Sequence, residues 1–355
     1  MTKRDDRGRA VSGGVSEGAR DGVRDRARRA GRRTVLRAAG LATGGVTLAG
    51  GADAGVAHAA GSRRGRHGTG PRTYVLVHGT HSTGAHLAGI ARELQRRGHR
   101  AVAVDLPLHG TEAFVPESYQ RQDPRALAVE PSPLARLGLD DYAHRVEQHV
   151  REAARHGPVV LAGHSMGGLC VSRVADAVPG LLAHICYFAA FCPSRTMPSL
   201  EACASSPEGS TAVDPGGQLI GDPEKLGVAR FNWRTGAARD LAVFKEMICA
   251  DHSDVAFRRM LGLMQTDESL RAYGERAVGG AERWGRVPRT YLRMGRDRLV
   301  PPALQDRMIA EADALTPDNP FHVRDFPRAS HMGPPDPREV AAALHAVRPV
   351  RAARP

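Results

Sequence analysis

Pro158-Val159-Val160-Leu161-Ala162 runs directly into Gly163-His164-Ser165-Met166-Gly167-Gly168, and Leu169, Val171, Val174, Ala175 and Val178 follow at helical spacing. An apolar run of strand length, G-x-S-x-G and an amphipathic stretch read as strand, sharp turn and helix, the context in which a serine becomes a nucleophile. The glycines matter because the turn is tight: a side chain at Gly163 or Gly167 would meet the neighbouring strand or helix. Such a turn lifts the Ser165 hydroxyl above the sheet at a helix N-terminus, where free N–H groups and the dipole favour negative charge. The competing reading is a plain glycine-rich turn; the flanking strand and helix weigh against it.

A serine nucleophile of this kind needs an acid and then a histidine, in that chain order. Val287-Pro288-Arg289-Thr290-Tyr291-Leu292-Arg293-Met294 reads as a strand closed by Gly295-Arg296-Asp297. Phe321-His322-Val323-Arg324-Asp325-Phe326 reads as the next strand, and Ser330-His331-Met332-Gly333 comes after it. Asp297 and His331 therefore fall in loops after strands, on the edge where open α/β sheets place their sites. A neutral imidazole takes the serine proton and returns it to the leaving group, while a carboxylate fixes its tautomer. Asp313, Asp325 and Asp336 are rivals for the acid, and His331 is one of 16 histidines, so position in the fold carries both assignments.

An oxyanion needs two N–H donors. One is expected from Met166, the residue after the nucleophile. The other is expected from the loop after the early strand Tyr74-Val75-Leu76-Val77, where Thr80 follows His78-Gly79. His78 and His81 lack a third ligand at a sensible spacing, so no metal is expected, nor any other cofactor.

Strands are expected near 73–78, 100–104, 158–163, 183–189, 288–294 and 321–326, with helices near 86–97, 139–156, 167–178, 302–314 and 336–347. This alternation implies an α/β protein with a mostly parallel, doubly wound sheet. Residues 111–137, with Pro116, Pro124, Pro131 and Pro133, read as a long loop.

The chain resembles the α/β-hydrolase superfamily over residues 72–348, and within it the branch of plant methyl esterases and hydroxynitrile lyases with their bacterial relatives. The resemblance rests on Val75-Leu76-Val77-His78-Gly79, Asp105-Leu106-Pro107-Leu108-His109-Gly110, Gly163-His164-Ser165-Met166-Gly167-Gly168, Tyr187-Phe188-Ala189-Ala190-Phe191-Cys192-Pro193, Pro288-Arg289-Thr290-Tyr291 and Ser330-His331-Met332. It implies Ser165 as nucleophile, Asp297 as acid and His331 as base. It also implies a helical cap at about 193–286, whose Phe231, Trp233, Phe244, Met247, Ile248 and Met264 could pack the cap or line an acyl pocket. The lyases of this branch carry threonine where Gly79 stands and lysine where Met332 stands, so both positions look like the esterases. Gly79, His164 and Met332 are the expected pocket residues. One departure is Gly84-Ala85-His86, where members usually have a bulky aromatic after the Gly-Ala pair.

Residues 1–59 read as an export signal. A charged segment precedes Arg32-Arg33, then a short Gly/Ala-rich run from Ala38 to Val56, then Ala57-His58-Ala59 as an A-x-A cleavage site. Paired arginines before a weakly apolar run resemble a twin-arginine signal, with the twin-arginine export machinery as the implied partner. The run is too polar and glycine-rich for a stable membrane span. Residues 60–71 read as a flexible linker and 349–355 as a tail. The same signal carries half of the net charge of +12, through 12 basic against 6 acidic residues. No basic stripe with interleaved aromatics points to nucleic acid. Five cysteines occur without a C-x-x-C; Cys203 and Cys249, both in the cap, could pair in an oxidising compartment.

The expectation is a secreted serine esterase acting on a small-molecule ester. A lyase on the same scaffold and a non-catalytic binder are the alternatives. Gly79 and Met332 weigh against the first, and the complete Ser-Asp-His set against the second.

Overall fold

A computed structural model describes residues 70–347. The expected signal at 1–59, all but the end of the linker and the tail lie outside the described residues. The chain alternates from the start: β1 (Thr73–Val77), α1 (Gly84–Arg96), β2 (Arg100–Val104), the short α2 (Glu117–Arg121) and α3 (Pro124–Leu127), α4 (Leu139–Ala154), β3 (Val159–His164), α5 (Gly167–Ala177) and β4 (Leu182–Phe188). The cap region follows, with α6 (Leu200–Ala204), α7 (Pro223–Leu226), β5 (Val228–Arg230), α8 (Ala238–Cys249), α9 (Asp254–Leu261), β6 (Asp267–Ser269) and α10 (Leu270–Gly274). β7 (Arg289–Met294), α11 (Pro302–Leu315), β8 (His322–Phe326) and α12 (Pro337–Ala346) complete the body.

Six strands form one sheet in the order β2-β1-β3-β4-β7-β8, every pair parallel. Strand side chains alternate between faces, and here both faces are covered. Val75, Val77, Leu161, Ile185 and Tyr187 pack with Leu139, Val146, Leu169, Leu304 and Met308 from α4, α5 and α11. Tyr74, Leu76, Val160, Cys186 and Phe188 pack with Leu87, Leu94, Val340 and Leu344 from α1 and α12. Double coverage explains why the central strands are apolar throughout rather than alternating. The chain leaves β1 for β2 on one side and returns to β3 on the other. The loops after β1 and β3 therefore diverge, opening a crevice at the carboxyl ends of the strands.

Two expectations need correction. Residues 111–137 are not a plain loop but a series of short helical turns. Asp123 accepts hydrogen bonds from the Arg125 and Ala126 N–H groups with Pro124 at the first helical position, and Ser132 caps the turn at Pro133. Proline suits the first position of a helix, because the N–H it lacks would have no partner there, so some of the prolines that read as loop markers start helices. The cap is largely helical as expected, but it also holds the antiparallel pair β5–β6. Three residues per strand are too few for period-two patterning to register.

The cap has its own core of Phe231, Trp233, Phe244, Met247, Ile248, Phe257 and Leu261. Arg230 and Asp267, facing each other across β5–β6, form a fully buried bidentate pair at 2.6 Å through both contacts. The Arg230 guanidinium also donates to the Leu127 and Glu130 carbonyls, which ties the cap to the 111–137 segment. All five cysteines are free and buried; Cys203 belongs to the body core and Cys249 to the cap core, so the Cys203–Cys249 pairing is not made. Among the described residues, no helix is long and apolar enough to cross a membrane.

Candidate active site

Ser165 occupies the turn between β3 and α5 with φ 55°, a left-handed conformation that is costly for a residue with a β-carbon. The turn is held by its backbone: the Ser165 N–H donates to the Phe188 carbonyl, and its own carbonyl accepts from Phe191 and Gly168. Space is equally tight. A β-carbon on Gly163 would lie 2.5 Å from the Gly167 carbonyl oxygen, and one on Gly167 would lie 2.7 Å from that of Val77. The Ser165 Oγ is buried and has no hydrogen-bond partner among the described residues.

Asp297 and His331 meet as the motif order required. The His331 Nδ1–H donates to Asp297 Oδ2 at 2.8 Å, and both residues are buried. The other carboxylate oxygen accepts from the Leu299 and Val300 N–H groups, each at 2.8 Å. A carboxylate on Nδ1 assigns the proton to that nitrogen and leaves Nε2 with a lone pair. The rival acids are engaged elsewhere: Asp313 accepts from the Phe321 N–H, Asp325 pairs with Arg293 and Asp336 caps α12. The loop of His331 is anchored from two sides. His164 Nε2 donates to the His331 carbonyl, and the Met332 N–H donates to the Ile248 carbonyl of the cap. Burial, reinforced by the neighbouring His331 imidazole, pushes His164 well below the ordinary histidine value, so His164 is a neutral donor.

Thr80 and Met166 follow β1 and Ser165, and neither N–H has an acceptor among the described residues. The Thr80 hydroxyl instead meets the Tyr273 hydroxyl of α10. Gly79 lies behind Ser165: a β-carbon there would sit 2.5 Å from Ser165 Cβ and 3.0 Å from Oγ. His78 donates from Nδ1 to the Gly79 carbonyl at 2.8 Å and accepts the Leu106 N–H on Nε2 at 3.1 Å. Both its ring nitrogens are thus occupied, and burial, helped by the nearby His109 charge, lowers its pKa to about 3. His86, at the position where the resemblance led one to expect an aromatic, accepts the Thr83 N–H and contacts the Met260 carbonyl of the cap.

A cavity of about 500 Å³ opens between body and cap and contains Ser165, His331, His164, Thr80 and Met332 in its lining. Its walls are mostly apolar, with Leu200, Val213, Leu219, Trp233, Met247 and Leu299 among them; among the described residues no lysine or arginine lines it, and Asp214 is its one carboxylate. Phe231, Trp233, Met247, Ile248 and Met264 line it as the cap reading allowed, whereas Phe244 packs inside the cap core. Of the expected pocket residues His164 and Met332 line the cavity, but Gly79 does not; its contribution is the room it leaves for Ser165. Tyr273, His81 and Leu299 were missed as lining residues, since a lone tyrosine, histidine or leucine in a loop or short helix carries no periodic signal.

The Gly79 geometry makes a direct prediction. Gly79→Thr forces Ser165 or its neighbours to move, and a misplacement of about 1 Å should lower kcat/KM by about 10²-fold or more. Steady-state kinetics on an activated ester checks this; activity within threefold of wild type would mean that the room at Gly79 does not set the position of Ser165.

The comparisons with known proteins agree with the architecture. The profile of the alpha/beta hydrolase family matches residues 74–343. Norfluorocurarine synthase 2 of Strychnos sp is 24% identical over 275 residues, 73% of this chain and 88% of that protein. Methylesterase 18 of Arabidopsis thaliana is 23% identical over 265 residues, 73% of this chain and 89% of that protein. A solved pyrethroid hydrolase from Sphingobium faniae JZ-2 superposes with a TM-score of 0.57 at 22% identity, over 78% of this chain and 96% of that one.

Proposed function

The chain belongs to the alpha/beta hydrolase family, and from that membership we propose that it is a secreted serine esterase using Ser165, His331 and Asp297. One observation carries the reading: an unpartnered Ser165 Oγ shares an apolar cavity with a histidine whose Nδ1 is held by a buried carboxylate. His331 Nε2 takes the serine proton as Oγ attacks the ester carbonyl. The Thr80 and Met166 N–H groups receive the oxyanion. The imidazolium then protonates the departing alkoxide, and the same histidine activates water to release the acid. No step calls for a cofactor.

The substrate is a neutral, largely apolar ester of small or medium size. The cavity volume and the absence of lysine and arginine from its lining support this. The names of relatives, a methylesterase and a pyrethroid hydrolase, point the same way. A panel of p-nitrophenyl esters of increasing chain length, followed by methyl esters, tests it. A burst of alcohol release equal to the enzyme concentration is expected. A lyase or a pure binding protein gives none.

Export rests on the sequence of residues 1–59. Replacing Arg32 and Arg33 by lysine should trap the precursor inside the cell while leaving its esterase activity intact, because Thr80, Ser165, Met166, Asp297 and His331 all lie outside the segment. Secreted material should begin at Ala60 on N-terminal sequencing. Active protein starting at Met1, found only in the cytosol, would refute the export reading.

A further inference from the structure

Two buried charges beside the site take no part in the chemistry above. Glu268 of β6 and His109 of the loop after β2 both have fully buried side chains and contact each other at 3.2 Å. The carboxylate accepts four hydrogen bonds. Oε2 takes the His81 N–H at 3.1 Å and His109 Nε2–H; Oε1 takes the Tyr142 hydroxyl at 2.6 Å and the Ser269 N–H at 3.1 Å. The other nitrogen of His109, Nδ1, faces the Pro107 carbonyl at 2.9 Å. A carbonyl and a carboxylate are both acceptors, so both ring nitrogens donate and His109 is an imidazolium.

These contacts converge on the first loop. In a trans peptide the C=O and N–H point in opposite directions. His78, by holding the Gly79 carbonyl, therefore sets the direction of the Thr80 N–H. Glu268 holds the next peptide by its His81 N–H, in a turn where His81 has φ 53°. His109 joins the two: its ring lies 5.1 Å from that of His78, and its charge favours the neutral His78 that can accept from Leu106. We propose that the buried Glu268–His109 pair is a positioning device, reaching from the cap beneath the first loop, that aims the Thr80 N–H at the Ser165 centre. The assignment rests on the esterase reading above.

The groups facing the pair are His78, His81, Asp105, Tyr142, Tyr273 and Cys170. Burial opposes the charge on His109, but the charge and hydrogen bond of Glu268, with the Pro107 carbonyl and Asp105, together outweigh it and raise the pKa. Burial likewise opposes the charge on Glu268, and the charge and hydrogen bond of His109, with His81 and the Tyr142 hydroxyl, together outweigh it and hold the carboxyl below its ordinary value. The pair is thus complete between the lowered value of Glu268 and the ordinary histidine value; it is lost as pH falls through the former or rises through the raised value of His109.

The test uses the full chain with 15N-labelled histidine. At pH 7 the wild type should show His109 protonated on both nitrogens, titrating above an ordinary histidine. In Glu268→Gln that titration should move down by about one pH unit or more, as expected when a facing charge is removed. Active sites are counted with a fluorophosphonate, so that misfolded enzyme drops out of the rate. Glu268→Leu should then lower kcat per site by about 10²-fold, the effect of losing one oxyanion donor, with KM changed less than threefold. Its affinity for a boronic acid, which forms a tetrahedral adduct, should fall in parallel. Glu268→Gln should recover kcat to within about tenfold, because one amide oxygen can still accept the His81 N–H. A kcat per site within threefold of wild type in Glu268→Leu, no recovery in Glu268→Gln, or a neutral His109 at pH 7 overturns the proposal. A wild type that hydrolyses no ester but keeps the His109 imidazolium overturns the esterase reading and leaves the pair a structural one.

Discussion

Ser165→Ala is expected to lower ester turnover by about 10⁴- to 10⁶-fold, the loss found when a triad nucleophile is removed. In the proposed mechanism the residue supplies the bond-forming oxygen, and no other hydroxyl stands at the turn after β3. The fold should survive. Alanine keeps the β-carbon where serine has it, so the strain at φ 55° is unchanged. The lost Oγ has no hydrogen-bond partner, so its removal strands no buried group. Thermal melting should therefore match the wild type, and a serine-directed fluorophosphonate should label only the wild type, at Ser165. Labelling at another serine, or near-normal turnover in the variant, would remove Ser165 from the role.

Asp297→Asn should cost about 10³- to 10⁴-fold in kcat through loss of tautomer control. The surroundings of the carboxylate make this sharper than a simple charge deletion. Oδ1 accepts the Leu299 and Val300 N–H groups, so the asparagine oxygen must remain on that side. The amide NH2 then faces His331 Nδ1, which can only accept. The proton moves to Nε2, the nitrogen that has to receive the serine proton. Little change in KM is expected, since Asp297 is not part of the cavity lining. A near-silent Asp297→Asn would move the acid elsewhere. The next acid by position, Asp325, is half-exposed and paired with Arg293, poorly placed to replace it.

The body and the candidate triad were legible because their signals are local. The strands are short apolar runs, buried on both faces, and the expected boundaries fall within a residue or two of β1, β2, β3, β4, β7 and β8. The elbow is a contiguous pattern, although only Gly163 is held to glycine by a neighbour in the pattern, the Gly167 carbonyl, while Gly167 is held by the Val77 carbonyl of β1. Asp297 and His331 could be placed because a parallel sheet puts the loops after its strands on one edge, whatever their separation in sequence. The cap was harder to read. Its elements are short, and the prolines of 111–137 mark helix starts as well as turns.

The sequence by itself determined a doubly wound parallel sheet, the serine at its sharpest turn and the acid and histidine on the same edge. Strand and helix periodicity and the G-x-S-x-G pattern are written in contiguous residues and leave a record in each segment. Only the tertiary structure decided what surrounds that edge: Tyr273 against Thr80, Glu268 on the His81 N–H, and His109 paired with a carboxylate 159 residues away. Such polar contacts join single residues from distant segments. Their geometry exists only after the cap has packed on the body, and the low dielectric of that interface makes their charges effective.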